Sequence, residues 1–253
     1  MSKPIKSKNK IFYEIHSNIP RQGPGNIEST LKALSMLSGL PTGPKILDVG
    51  CGPGLQTVEL AKHSNGEVVG LDFTPSFLDE LRVNSTQAGL NEKVKIVEGS
   101  MFEMPFDTES FDVVWSEGAI YIIGFEKGLK EWRKFLKPNG YMVASHISWL
   151  KDEIPNKPKE FWQKNYPAIT TIDNNLKIAK EAGYKVLGHF VLPEAGWWND
   201  YYLPEEENIK RLKVKYANNP EVLAKINSTQ EEIDLYREYS DFYGYVFYIL
   251  QKV

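Results

Sequence analysis

The chain has 253 residues, 42% hydrophobic and 25% charged, enough to bury one sizeable core and leaving little room for extended disorder. A formal charge of -3 gives no overall drive toward a phosphate backbone or an anionic membrane, and a single cysteine, Cys51, excludes an intrachain disulfide framework. No stretch approaches the roughly 20 apolar residues that span a bilayer, and no charged-then-apolar leader opens the chain, so the expected compartment is the cytoplasm.

Lys3, Lys6, Lys8 and Lys10 sit among polar neighbours, and residues 1–20 read as a solvated N-terminal arm without function. The turn-rich Arg21-Gln-Gly-Pro-Gly25 follows. Asn26 then caps a helix whose apolar positions Ile27, Leu31, Leu34 and Leu37 recur at helical spacing. From Lys45 onward β-rich runs alternate with helical patterns, the signature of parallel βαβ units. The strands are Lys45 to Val49, Glu67 to Leu71, Val94 to Glu98, Phe111 to Trp115 and Tyr141 to Ser145, nearly all apolar or β-branched, as strands covered on both faces should be. Thr74-Pro75 starts a helix carrying Phe77, Leu78 and Leu81. Leu129, Trp132 and Leu136 line another, ended by Pro138-Asn139-Gly140.

Lys151 to Pro167, rich in lysine and proline, reads as a surface crossover before a helix at Asn175 to Ala182 and a strand at Tyr184 to Leu192. Glu205 to Tyr216 is helical, Asn219-Pro220 restarts a helix, and Ser228-Thr-Gln-Glu231 is a capping-box sequence. Tyr243 to Leu250 is the last strand. The expected organisation is one domain over 21–253, with 194–242 a helical insertion on the substrate side, of which 205–242 forms either a lid or the surface of a homodimer.

Leu47-Asp48-Val49-Gly50-Cys51-Gly52-Pro53-Gly54 lies where the first strand turns into a helix, so its glycines let backbone approach a ligand closely. Asp72 ends the second strand, where a carboxylate can accept from both hydroxyls of an adenosine ribose. Nicotinamide enzymes share that geometry, but their third glycine falls at position 55, which is Leu55 here.

The loop resembles the Asp/Glu-x-Gly-x-Gly-x-Gly-like first motif of class I S-adenosylmethionine-dependent methyltransferases, with Pro53 in place of the usual threonine or serine. Glu98-Gly99-Ser100-Met101 with Met104-Pro105-Phe106 is similar to the segment bordering the adenine, although Ser100 stands where an aspartate often binds its amino group. Phe111-Asp-Val-Val-Trp-Ser-Glu117-Gly resembles the fourth strand, which faces the methionine part. Arg21-Gln-Gly-Pro-Gly25 and Pro193-Glu-Ala-Gly-Trp-Trp198-Asn-Asp-Tyr-Tyr202 resemble a narrower, type 11/25-like group acting on small molecules. The resemblance implies a Rossmann-like, seven-stranded, mostly parallel sheet with helices on both faces, an antiparallel last strand and a helical insertion before it. It implies S-adenosyl-L-methionine as cofactor, S-adenosyl-L-homocysteine as product and a small-molecule acceptor as partner. It places cofactor contacts at Arg21, Asp48, Gly50, Cys51, Gly52, Gly54, Gln56, Asp72, Phe73, Ser100, Met101, Ser116 and Glu117, and substrate contacts at Tyr121, Glu194, Trp197, Trp198 and Tyr201. Paired tryptophans and tyrosines serve packing as often as recognition.

Transfer from a sulfonium is a displacement that needs no metal or covalent intermediate, and His16, His63 and His189 have no partners at ligand spacing. An oxygen or protonated-nitrogen acceptor calls for a base, for which Glu117, Tyr121, His146 and Glu194 are the candidates, His146 being equally an ordinary hydrogen-bonded histidine. Enzymes that methylate a nucleic-acid base carry Asn/Asp-Pro-Pro-Tyr or Pro-Cys after the fourth strand, where this chain has Ser116-Glu-Gly-Ala-Ile-Tyr121. That favours a small-molecule enzyme, with a protein that binds the methyl donor without turnover as the alternative and an RNA or DNA methyltransferase behind both.

Overall fold

The computed structural model describes residues 7–253. Lys3 and Lys6 fall outside that range. Two helices, α1 (Ser7–Ile15) and α2 (Ile27–Ser35), precede β1 (Lys45–Val49), α3 (Leu55–His63), β2 (Glu67–Asp72), α4 (Pro75–Gln87), β3 (Val94–Glu98) and β4 (Phe111–Ser116). There follow α5 (Phe125–Trp132), β5 (Leu136–Trp149), α6 (Asn156–Asn165), β6 (Thr170–Thr171), α7 (Ile172–Glu181) and β7 (Tyr184–Val191). The chain ends with α8 (Ala195–Trp197), a π-helical turn over Trp198–Tyr202, α9 (Leu203–Lys215), α10 (Pro220–Tyr239) and β8 (Tyr243–Lys252).

The strands pair in the order β3-β2-β1-β4-β5-β8-β7, and the two-residue β6 pairs alongside the end of β5. The pairs among β1 to β5 are parallel, and β8 runs antiparallel to both its neighbours. This is the expected Rossmann-like sheet with one short strand more. Successive residues of a strand point to opposite faces, and the burial follows that period. Ile46, Val68, Val113, Val143 and Phe247 join the core under α1 to α4 and α8 to α10. Leu47, Val69, Val114, Met142 and Tyr248 join the core under α5 and α7.

Four segments depart from the sequence reading. Residues 7–15, expected as part of an arm, are α1, whose Ile11 and Ile15 are buried. Asn208 of α9 holds its end, Nδ2 donating to the carbonyls of Ile15 and Ser17 at 2.8 Å each. The expected crossover contains α6, because Pro155 caps that helix and Pro158 occupies its first turn, where no intrahelical N–H is required. Ser228 to Glu231 lies inside α10, which continues because Ile226, Ile233 and Tyr236 bury one face. Leu136 opens β5 and does not extend a helix. The Pro138-Asn139-Gly140 turn becomes a bulge, with pairing to β4 jumping from Phe111↔Leu136 to Val113↔Tyr141 and Asn139 at φ 60°.

A buried polar triad ties α7 to the sheet. Asn175 Nδ2 donates to Ser148 Oγ and Tyr248 Oη at 3.1 Å each, and the two hydroxyls lie 2.8 Å apart. Asn175→Ala should cost about 1–3 kcal/mol of stability by leaving those hydroxyls short of a partner. Asn174→Ala, on the exposed side of the same helix, should cost about 0.5 kcal/mol. Urea denaturation of both variants checks the difference.

Candidate functional site

β1 lies between β2 and β4, so the connections leave it in opposite directions and open a crevice at the C-terminal strand ends. A cavity of about 510 Å³ occupies it, within the range of small-molecule sites. Its walls come from residues 20–24, the loop after β1, the end of β2, residues 99–102 and the segment from Glu117 to Ile122.

The three loop glycines do different work. All have positive φ, +74° at Gly50, +54° at Gly52 and +83° at Gly54, which favours glycine on conformational grounds alone. A Cβ on Gly50 would stand 2.4 Å from Ala119 Cβ, and one on Gly54 would stand 2.1 Å from Leu81 Cδ1. Those two let the loop seat against the fold, and Gly54 is not a cavity wall. Gly52 meets nothing closer than Gln22 Cγ at 3.7 Å and turns its backbone to the cavity.

Gly52 N–H donates to Asp72 Oδ2 at 3.0 Å, and Thr74 N–H donates to Oδ1 at 2.8 Å. Asp72 therefore holds the loop, and each oxygen keeps a second lone pair for a ligand hydroxyl on the wall it forms. Asp48, expected as a cofactor contact, is fully buried beneath the loop instead. Its Oδ2 accepts from Thr57 at 2.6 Å and Gln56 at 3.1 Å, and Gln56 also donates to the Cys51 carbonyl at 2.9 Å. Burial pushes the Asp48 carboxyl up to about 7. Gln56 and Cys51 reach the cavity. Cys51 is tightly packed there, and burial raises its thiol well above the usual range.

Glu117 is anchored more firmly than a base should be. Its Oε2 accepts from Arg21 Nη1 at 2.9 Å, and its Oε1 accepts from Thr30 Oγ1 at 2.7 Å and Trp115 Nε1 at 2.9 Å. The pair is buried, with 5% of the Arg21 side chain and 3% of Glu117 exposed. Arg21 Nε and Nη2 have no protein partner, although the residue lines the cavity. A Cβ on Gly25 would fall 2.7 Å from Arg21 Nη1, so glycine there leaves room for the arginine.

The remaining expected residues divide. Phe73, Ser100, Met101 and Tyr121 line the cavity. Ser100 Oγ accepts from Phe102 N–H at 3.2 Å, and the Met101 carbonyl, expected to serve a ligand, accepts from Trp132 Nε1 at 3.1 Å. Ser116 is not a wall, because its hydroxyl donates to the Val49 carbonyl at 3.0 Å and closes the β1–β4 seam. His146 is not a wall either. It stacks on Phe125 with ring centroids 4.7 Å apart, and burial pulls it down to about 3, so it stays neutral.

Glu194, Trp197, Trp198 and Tyr201 also stand off the cavity. Glu194 accepts from Ser240, Trp197 stacks on Tyr236 at 4.1 Å, Arg237 lies 5.0 Å over Trp198, and Tyr201 stacks on Tyr202. Their segment is nonetheless tied to the arginine loop, for Gly25 N–H donates to the Gly196 carbonyl at 2.8 Å. Walls that the sequence reading missed include Phe12, Gln22, Phe77, Phe102 and Ile122. Phe12 was signalled by Ile11, Ile15 and Ile19, spaced by four, within a segment dominated by lysines.

A methyltransferase-domain family model matches residues 41–208. The demethylmenaquinone methyltransferase of Staphylococcus aureus (strain MRSA252) is 38% identical over 179 residues, 69% of this chain and 67% of that protein. A sterol 24-C-methyltransferase of Gibberella zeae is 29% identical over 161 residues, 60% of this chain, and the match spans only 42% of that longer protein. The crystal structure of a SAM-dependent methyltransferase from Thiobacillus denitrificans, in complex with S-adenosyl-L-homocysteine, shares the fold with a TM-score of 0.81 at 20% identity, each chain covered in full.

Asp48 has a consequence for stability. Its carboxyl rises from the ordinary 3.8 to about 7 on folding, so the folded state binds more protons between those values and stability falls as pH rises through them. Asp48→Asn should remove about 3 kcal/mol of the decline between pH 5 and pH 8, read from urea denaturation of both proteins at each pH.

Proposed function

The chain belongs to the S-adenosylmethionine-dependent methyltransferases through its domain at residues 41–208, and from that premise we propose that it methylates a small-molecule acceptor in the cavity between β1 and β4. One observation carries the reading: Arg21, held by Glu117, lines a cavity whose wall also contains the Asp72 carboxylate, and two of its buried nitrogens have no protein partner. Unpaired buried donors call for an anion, and a carboxylate at a strand end suits a ribose diol. These residues fit the amino-acid and adenosine parts of S-adenosylmethionine. When bound, that cofactor supplies a methyl group on a sulfonium, already activated for displacement. The S-adenosyl-L-homocysteine held by the Thiobacillus denitrificans protein of the same fold supports this placement.

The chain's own contribution is position. Arg21 would hold the carboxylate, Asp72 the ribose, and Gly52 the close backbone approach, while Phe73, Ser100 and Met101 would border the adenine. Effects of orientation alone reach several kcal/mol, and no side chain here is required as a covalent nucleophile. Glu117, with three donors on its carboxylate, acts as the anchor of Arg21 rather than as a base. Phe12, Tyr121 and Ile122 form an apolar rim between 43% and 52% exposed, which suits an acceptor with an apolar portion. The relatives named for demethylmenaquinone and sterols support that reading.

Incubating the protein with S-adenosylmethionine labelled in its methyl group and a metabolite extract should label a small molecule; tight donor binding without any labelled product would instead make the protein a binder. Asp72→Ala should weaken donor affinity at least tenfold by titration calorimetry while thermal melting still shows a cooperative fold. Unchanged affinity in that variant would remove the ribose role.

A further inference from the structure

Gln22 follows Arg21 in the loop before α2 and has no part in the cofactor contacts proposed above. Its side chain lies over the glycine loop, with Cγ 3.7 Å from where a Cβ on Gly52 would stand, and both residues are walls of the cavity. Gln22 Nε2 donates to the His16 carbonyl at 3.2 Å. A carbonyl can only accept, so the carboxamide must turn its nitrogen to His16, and that contact settles which end of the group is the oxygen. Oε1 is then left buried with no protein partner.

The unmet needs of the two neighbours are opposite. Arg21 Nε and Nη2 are buried donors without an acceptor, whereas Gln22 Oε1 is a buried acceptor without a donor. The two acids of the cavity wall are committed elsewhere, Glu117 to Arg21, Thr30 and Trp115, and Asp72 to the loop and to the ribose assigned to it above. An amide oxygen shielded from water and left bare is costly, and a ligand that brings a donor to it recovers that cost. Gln22 as a whole is only partly buried, and the last torsion of a glutamine is broad, so a small turn of the amide carries Oε1 to the cavity surface.

We propose that Gln22 positions the amino-acid end of the methyl donor, its Oε1 accepting from the α-ammonium while Arg21 takes the α-carboxylate. The assignment rests on the cofactor placement proposed above and adds to it a side chain that reads the opposite charge. A head group that carries both charges meets a donor and an acceptor from consecutive residues, and a charged donor on a neutral oxygen makes a stronger bond than a neutral donor does. The same carboxamide is tethered to the segment after α1 through His16 and packs over Gly52, so the head group is fixed against two elements at once.

The test titrates the full chain calorimetrically with S-adenosyl-L-homocysteine, with its analogue lacking the α-amino group and with its analogue lacking the α-carboxylate. On the wild-type protein, removal of the amino group should weaken binding by about tenfold or more, as loss of a charge-assisted hydrogen bond does. Gln22→Met keeps the length of the side chain and deletes the oxygen. That variant should bind S-adenosyl-L-homocysteine and the amino-free analogue within about twofold of each other, while loss of the carboxylate costs it as much as it costs the wild type. Gln22→Glu keeps an oxygen at the same reach and should retain the preference for the amino-bearing ligand, and it decides the question if the methionine variant melts without cooperativity. Weaker binding of all three ligands in Gln22→Met with the amino preference intact is what a purely structural residue gives, and it would overturn the proposal. So would equal binding of S-adenosyl-L-homocysteine and its amino-free analogue by the wild type, or loss of the preference in Gln22→Glu. Failure of the wild type to bind S-adenosyl-L-homocysteine at all would instead strike the cofactor placement on which this subsite rests.

Discussion

Glu117 gathers donors from three elements, the loop that precedes α2, α2 itself and β4, through Arg21, Thr30 and Trp115. A buried ion pair is a poor source of net stability, because taking both charges out of water offsets most of their attraction. What this one supplies is placement. With one guanidinium nitrogen fixed on Glu117, the orientation of the other two is settled before a ligand arrives, and neither has a protein partner. The same carboxylate holds α2 through Thr30, so the N-terminal loop cannot move away without leaving Glu117 buried and short of its counter-charge.

The loop after β1 obeys a comparable division of labour. Gly50 and Gly54 allow the turn to seat against Ala119 and Leu81, and Gly50 and Gly52 both bring backbone to the cavity wall. Asp72 stands at both levels, fixing Gly52 and Thr74 while keeping lone pairs free, whereas Asp48 works from below through Thr57 and Gln56. Residues of one motif therefore differ in whether they touch a ligand or hold the residues that do. Their spacing alone does not separate the two roles.

That distinction sets what was legible in the sequence. The parallel sheet, its switch point and the cavity residues Gly52, Asp72, Ser100 and Met101 were legible because period-two apolar runs and a loop of fixed spacing are local signals. Trp197, Trp198 and Tyr201 were misplaced because an aromatic cluster reads the same whether it faces a cavity or other aromatics, and here Tyr202 and Tyr236 fill the space beside them. α1 was missed for a different reason. Its apolar face is only as wide as Ile11 and Ile15, and it is a helix by virtue of docking on α9 and α10, nearly 200 residues away in sequence.

The helical cover is also harder to read from sequence than the cavity walls. The cavity residues sit at strand ends and adjoining loops, fixed by backbone pairing, whereas Glu205 of α9 meets His16 of the segment after α1, and Glu232 of α10 meets Tyr202, only through tertiary packing. No short spacing relates His16, Glu205 and Glu232. A helix that buries Ile209 and Leu212 has no packing need for a carboxylate at 205, and burying one without a partner costs several kcal/mol. Burial raises the Glu205 carboxyl to about 8, and in its protonated form it donates across the 3.2 Å to His16 Nε2, which offsets that cost.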